Sequence, residues 1–157
     1  MTSHHMKGLF VLKIFACIVG AMGAGLLLVS CGGDGSGTSV KVGEAEWKIT
    51  PEVSQVKQGK ITFNVTNSGT EPHEFLVIKT DLAPSALPVE DNEVNEDKVE
   101  VAANVEPFPV GQTAKVTAKL SPGTYVLICN VKEGGVGSVP FVSHYQKGMW
   151  TAFTVTQ

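Results

Sequence analysis

From residue 38 onward, apolar and polar positions alternate with a period of two. In the run KITFNVTN, residues 60–67, Ile61, Phe63 and Val65 fall on one face and Thr62, Asn64 and Thr66 on the other, the pattern of a strand with one buried and one wet face. Comparable runs rich in β-branched residues are AEWKIT, QVKQ, HEFLVIKT, VEVAANV, TAKVTAKL, GTYVLICN and WTAFTVT, separated by Gly, Pro, Asn and Asp. GTYVLICN follows the turn signal SPG and sets Tyr125, Leu127 and Cys129 on one face, with Val126 and Ile128 on the other. These elements predict an all-β domain over residues 38–157, built as a two-sheet sandwich or barrel. No stretch sustains a helical period. Residues 83–97, APSALPVEDNEVNED, carry the weakest pattern and are expected to be the least ordered part, with a turn or two at most. Their acids Glu90, Asp91, Glu93, Glu96 and Asp97 read as a solvated loop rather than an acidic docking patch.

The N-terminus is patterned differently. Lys7 and Lys13 precede and enter the apolar run LFVLKIFACIVGAMGAGLLLVS, which has the basic start and long apolar stretch of an export signal. It ends in LVSC, Leu28 to Cys31, which resembles the lipobox of bacterial lipoproteins. That resemblance implies a signal peptide over 1–30, lipidation of Cys31 as the new N-terminus, and a Gly/Ser tether over 31–37. The expected location is the extracytoplasmic membrane surface, in the periplasm or cell envelope. The competing reading is a retained membrane helix over 9–29, which approaches the roughly 20 residues a bilayer requires; Gly20, Gly23 and Gly25 weaken it. His4 and His5 lie ahead of the cleavage point and carry no function in this reading.

Charge and cysteine usage narrow the classes. The 157 residues hold twelve Lys plus Arg against fifteen Asp plus Glu, and every one of those cations is Lys. Arg-forked binding of phosphates or nucleic acid is therefore disfavoured. Without Lys7 and Lys13 the remainder carries 10 − 15 = −5, so a protein partner is expected to present a basic surface. Of the three cysteines, Cys17 and Cys31 belong to the N-terminal segment, which leaves Cys129 unpaired in the domain.

The lone thiol has company of a particular kind. His73, Cys129, His144 and Met149 offer a thiolate, two imidazoles and a thioether, the donor set that soft and borderline chemistry selects for a mononuclear copper electron-transfer site. His73 opens one predicted strand and Cys129 closes another; the loop after it supplies His144 and Met149 before the last strand begins at Trp150. One remote ligand and a three-ligand loop can meet at one end of a sandwich. Taken singly, each residue has a plainer reading: an inert buried thiol, a hydrogen-bonding His at a strand start, a surface His beside Tyr145, a core Met beside Trp150. Zinc is the nearest competing metal, but a structural zinc site wants four strong ligands and Met is a poor one.

With EPHEFLVIKTD, PGTYVLICN and HYQKGMWTAFTV in view, residues 38–157 resemble the cupredoxins, the plastocyanin- and azurin-like blue copper proteins. The resemblance implies a Greek-key β-sandwich and one type 1 copper held by His73, Cys129, His144 and Met149. It also implies a monomeric carrier of single electrons between extracytoplasmic redox proteins, not an enzyme. Multicopper relatives need further His-rich centres, and His73 and His144 are the only histidines after the signal. Two readings of other classes use the same residues, a copper-buffering or copper-delivery module and a structural sandwich with a vestigial site. One departure stands out. Where the family keeps the Cys and the second His only a few residues apart, here Asn130 to Ser143 intervene. This excess chain is expected to arch out beside the metal. Either it enlarges an apolar docking patch around a solvent-facing His144 edge, or Phe141 and Val142 pack down as a shield.

Overall fold

The computed structural model describes residues 37–137 and 140–157; the signal peptide expected over 1–30, Cys31 and nearly all of the expected tether lie outside the described residues. The strands in chain order are β1 (Thr38–Ala45), β2 (Lys48–Pro51), β3 (Gln55–Lys57), β4 (Gly59–Asn67), β5 (His73–Lys79), β6 (Val89–Glu90) and β7 (Glu93–Val94). After a 3-10 turn at Glu96–Lys98 come β8 (Glu100–Phe108), β9 (Thr113–Leu120), β10 (Gly123–Ile128), β11 (Lys132–Glu133), β12 (Val142–Ser143) and β13 (Trp150–Thr156). Two principal sheets form, ordered β2-β1-β4-β9 and β3-β13-β10-β5-β8. The β1–β4 and β13–β3 pairs run parallel, whereas β4–β9, β10–β13, β10–β5 and β5–β8 are antiparallel.

Alternation decides which side chains meet between the sheets. Val40 and Val42 of β1, Ile61, Phe63 and Val65 of β4, Phe75 and Val77 of β5, and Tyr125 and Leu127 of β10 pack in one buried cluster with Cys129, Met149 and Phe153. Phe63 sits at its centre, its ring 5.4 Å from Phe75 and 5.5 Å from Phe153, tilted and edge-on contacts that aromatic quadrupoles favour. The opposite faces of β5 and β10 are buried as well: Leu76, Ile78, Val126 and Ile128 form a second cluster with Leu87, Val94 and Tyr145. Burial on both sides is why HEFLVIKT and GTYVLICN read as nearly continuous apolar runs rather than as alternating ones.

That second cluster corrects the reading of residues 83–97. Instead of the least ordered stretch, the segment contains a hairpin of β6 and β7 that covers the outer face of the sheet. Asp91 and Asn92 turn it at φ 51° and 71°, both in the left-handed region that a two-residue hairpin needs and that Asp and Asn tolerate. Leu87 and Val94 are the buried anchors. Tyr145 receives the Leu87 N–H at 2.9 Å and donates to the Pro84 carbonyl at 2.8 Å. Asn130 acts like an extra strand residue, accepting from Val94 N–H at 2.7 Å and donating to its carbonyl at 3.1 Å. The acids themselves stay exposed or half-buried, as a solvated run should.

A second correction lies at the start of the domain. AEWKIT is not one strand: Ala45 ends β1, Glu46 and Trp47 make the turn, and β2 begins at Lys48. Strand β1 itself, with its inward Val40 and Val42, opens the domain at Thr38, in a stretch for which the sequence pattern predicts no strand ahead of AEWKIT.

Candidate metal centre

Three neighbouring strands deliver the donors to one end of the five-stranded sheet. His73 opens β5; Cys129 follows the last residue of β10, where Ile128 pairs with Leu76 on one side and Trp150 on the other. Because β10 runs antiparallel to both neighbours, the start of β5, the end of β10 and the start of β13 coincide, and Met149 directly precedes β13. The remaining candidate, His144, comes from a tight turn over residues 143–149. Lys147 N–H donates to Ser143 O at 3.1 Å, Gly148 N–H to Tyr145 O at 2.9 Å, and Met149 N–H to His144 O at 3.0 Å. The turn is sewn to the thiol segment by Cys129 N–H to Met149 O at 3.1 Å and His144 N–H to Val131 O at 3.0 Å. All four sequence-predicted residues therefore arrive at the same end, and each is fully buried, with 0% relative exposure.

His73, Cys129 and His144 form a group able to hold a single metal ion, their donor atoms lying within 4.8 Å of one another. Cys129 Sγ is 3.3 Å from His144 Nδ1 and 3.8 Å from His73 Nδ1, and the two Nδ1 atoms are 3.3 Å apart. The imidazoles meet edge to face, centroids 5.2 Å apart at 73°. Met149 belongs to the same core cluster as Cys129.

Each ring turns its other nitrogen toward a carboxylate. His144 Nε2 is 2.9 Å from Glu133 Oε1, and His73 Nε2 is 3.3 Å from Glu46 Oε1, an ion-pair distance without hydrogen-bond alignment. A carboxylate accepts and does not donate, so the ring proton of a neutral His144 belongs on Nε2, and the Glu46 carboxylate 3.3 Å away favours the same tautomer at His73. Both Nδ1 lone pairs then face the sulfur. Burial holds His73 below the usual imidazole range, helped by His144 and opposed by Glu46 and Glu133. Burial likewise pushes the Cys129 thiol up to about 12, against the amides of Glu74 and Val131, which favour the thiolate. The Glu74 N–H points at Sγ from 3.3 Å. Two imidazole nitrogens and a buried sulfur, with one thiol proton among them, make a cluster of lone pairs that a cation between them would satisfy. The residues fit a soft or borderline metal.

No protein-family model matches the sequence, and no curated protein does either. Solved structures do match. Dithionite-reduced auracyanin from the photosynthetic bacterium Roseiflexus castenholzii superposes with a TM-score of 0.58 at 20% identity, over 78% of this chain and 100% of that one. Auracyanin A, a blue copper protein from the green thermophilic photosynthetic bacterium Chloroflexus aurantiacus, gives 0.50 at 17% identity, over 76% and 99%. Rusticyanin from Thiobacillus ferrooxidans gives 0.50 at 17%, over 77% and 80%. This is the cupredoxin fold.

Against the expectation for a cupredoxin, His144 presents no edge to solvent. Trp47 stacks edge-on against it, centroids 4.9 Å apart at 75°, and Glu133 covers Nε2. The long segment after Cys129 is only partly an arch. Its base zips into the β11–β12 hairpin, pairing Lys132 with Ser143 and Glu133 with Val142, and this pairing sets Glu133 over His144. Its outer part leaves Val136 81% and Phe141 50% exposed, with Lys132 Nζ 5.3 Å above the Phe141 ring. Phe141 lies so close over Gly135 that a Cβ there would collide with the ring, and Gly135 has φ +74°. Three residues of the site escaped sequence reading: Glu46, Trp47 and Glu133. Only Trp47, a large aromatic beside a turn, carried any signal.

Proposed function

We propose that this chain is an extracytoplasmic type 1 copper protein that carries single electrons, with one copper held by His73, Cys129, His144 and Met149. The observation that carries the reading is the convergence of one thiol and two Nδ1 atoms in a fully buried cluster, with Met149 hydrogen-bonded through its backbone to both Cys129 and His144. Copper would supply the Cu(II)/Cu(I) couple. The chain's own part is to hold that couple in a cage that changes little as the electron comes and goes. Strands β5, β10 and β13 fix His73, Cys129 and Met149, the 143–149 turn fixes His144, and the Glu74 amide stands ready to donate to the thiolate. The same fold in a blue copper protein, auracyanin A, supports the choice of copper over zinc.

Cu(II) added to the purified domain is expected to produce an intense visible band from thiolate-to-copper charge transfer, and Cys129→Ser to abolish it. A coloured Cys129→Ser protein would place the site elsewhere. Rapid electron self-exchange then marks a carrier; tight copper binding without it marks a buffering or delivery module.

The reading extends to location. Lipidation of Cys31 behind a signal over residues 1–30 would tether the domain, as a monomer, at the outer face of a membrane, where extracytoplasmic redox proteins are its partners. A Cys31→Ser variant that remained anchored like the parent would overturn this part.

A further inference from the structure

Both imidazoles of the cluster are backed by acids, and each acid is placed by built features of the fold. Glu46 occupies the β1–β2 turn. Its Oε1 accepts the Thr70 N–H at 2.8 Å and the Glu71 N–H at 2.9 Å, which fastens it to the β4–β5 turn beside His73. Gly69 makes the room: a Cβ there would collide with the Glu46 carboxylate and stand 2.7 Å from His73 Nε2. Burial works against the ionised form of Glu46, but the amides of Glu46, Thr70 and Glu71 together with His73 outweigh it and hold the carboxyl below its usual range. Glu133 is placed on the other side by the β11–β12 hairpin, in the segment that lengthens the path from Cys129 to His144. Lys132, its neighbour, pairs with Glu93 instead. Among the described residues no lysine lies within ion-pair distance of Glu46 or Glu133, so both carboxylates keep their charge for the histidines.

We propose that Glu46 and Glu133 are paired positioning residues that fix both imidazoles with Nδ1 toward the metal and bias the couple toward Cu(II), lowering its reduction potential. This rests on the copper reading above. The charge count gives the direction. A thiolate with Cu(I) is neutral and with Cu(II) carries +1; adding two carboxylates makes the sums −2 and −1, so the oxidised state is the better compensated one. At His144, hydrogen bonding to Glu133 acts in the same sense. A carboxylate on Nε2–H raises the electron-donating power of the ring through Nδ1, which favours the more highly charged ion. The long insertion thereby acquires a role: it brings Glu133 to the ring edge that would otherwise meet water.

Glu133→Gln and Glu46→Gln separate charge from shape, because the amide oxygen can still accept from His144 Nε2–H at position 133 and from the Thr70 and Glu71 amides at position 46. Each is expected to retain the thiolate-to-copper band and to lower the ratio of Cu(II) to Cu(I) affinity about tenfold, a rise of about 59 mV for a one-electron couple. Gly69→Ala, which leaves both charges but displaces Glu46, is expected to raise the potential as well. Nitrogen-15 NMR of the metal-free protein supplies a readout independent of copper: His73 and His144 should both carry their proton on Nε2, and Glu133→Ala should lose that preference at His144. Unchanged or lowered potentials in both glutamine variants would overturn the charge effect, and an Nδ1 proton on both rings of the metal-free parent would overturn the clamp. If the parent takes up no copper, the copper reading fails and the charge effect with it, while the NMR result still decides the clamp.

Discussion

Trp47 meets His144 edge to face at 4.9 Å, and the residue before it, Glu46, stands 3.3 Å from His73 Nε2. One two-residue turn between β1 and β2 thus touches both histidines of the cluster, although it belongs to the sheet that supplies none of the four donors. Trp47 is half-buried, and removing its ring forfeits an aromatic pair and some apolar burial. Trp47→Ala is expected to lower stability by roughly 2 kcal/mol in urea unfolding. It should also let small anions such as azide perturb the copper spectrum, while Trp47→Phe leaves the spectrum insensitive to azide. An azide response equal to the parent's in Trp47→Ala would show that the ring does not guard the site.

Met149 uses its backbone to join Cys129 and His144, so its side chain can be exchanged without breaking that stitching. Leu fills nearly the same volume, and the metal-free Met149→Leu protein is expected to lose less than about 1.5 kcal/mol of stability. With copper bound, the apolar replacement should retain the colour and raise the potential, because losing a weak axial donor favours Cu(I). Voltammetry giving the parental potential would remove Met149 from the ligand set.

The Cys129 thiol, pushed up to about 12 chiefly by burial, is protonated in the metal-free protein at neutral pH. Binding a metal to sulfur must therefore expel that proton. Apparent copper affinity is expected to rise about tenfold for each pH unit from 6 to 8, measured by competition against a chelator whose own protonation is known. Metal addition in weak buffer should acidify the solution. An affinity independent of pH would mean that the thiol is already ionised or is not a ligand.

How much of this could be read in the chain varied with the physics behind each feature. KITFNVTN gave its strand and its buried face because one face is wet, and a period of two records that directly. His73, Cys129, His144 and Met149 were legible because donor types at strand ends are a local property of the sequence. Strand β1 was missed: its inward Val40 and Val42 are separated from the next apolar position by Gly43 and Glu44, and Glu44 points inward where alternation predicts an apolar residue. The β6–β7 hairpin lies in the stretch expected to be least ordered, because its anchors, Leu87 and Val94, are few and its acids many; what orders it is Asn130 and Tyr145, far away in sequence. Glu46 and Glu133 were invisible for the same reason. A carboxylate on the far nitrogen of a histidine is a tertiary relationship with no spacing of its own.

Glu44 gives the last prediction. It faces inward from β1, only 1% exposed, with no hydrogen-bond partner for either carboxyl oxygen. Burial, with Glu74 adding to it, pushes its pKa from 4.5 up to about 9. In the folded protein it keeps its proton up to about pH 9, whereas in the unfolded chain it has lost it above about 4.5. Between those values the folded state binds one more proton than the unfolded one, so stability falls as pH rises, and above the folded value the loss levels off. Other groups also titrate in this window, and comparison with Glu44→Gln isolates the contribution. The parent should lose stability relative to the variant by up to about 1.4 kcal/mol per pH unit between pH 5 and 9, read from urea unfolding of the metal-free proteins. Glu44→Leu, which removes the unpaired polar group altogether, should be the most stable of the three at pH 8. A parent-to-variant difference that stays constant from pH 5 to pH 9 would show that Glu44 is ionised inside the fold and has a partner there.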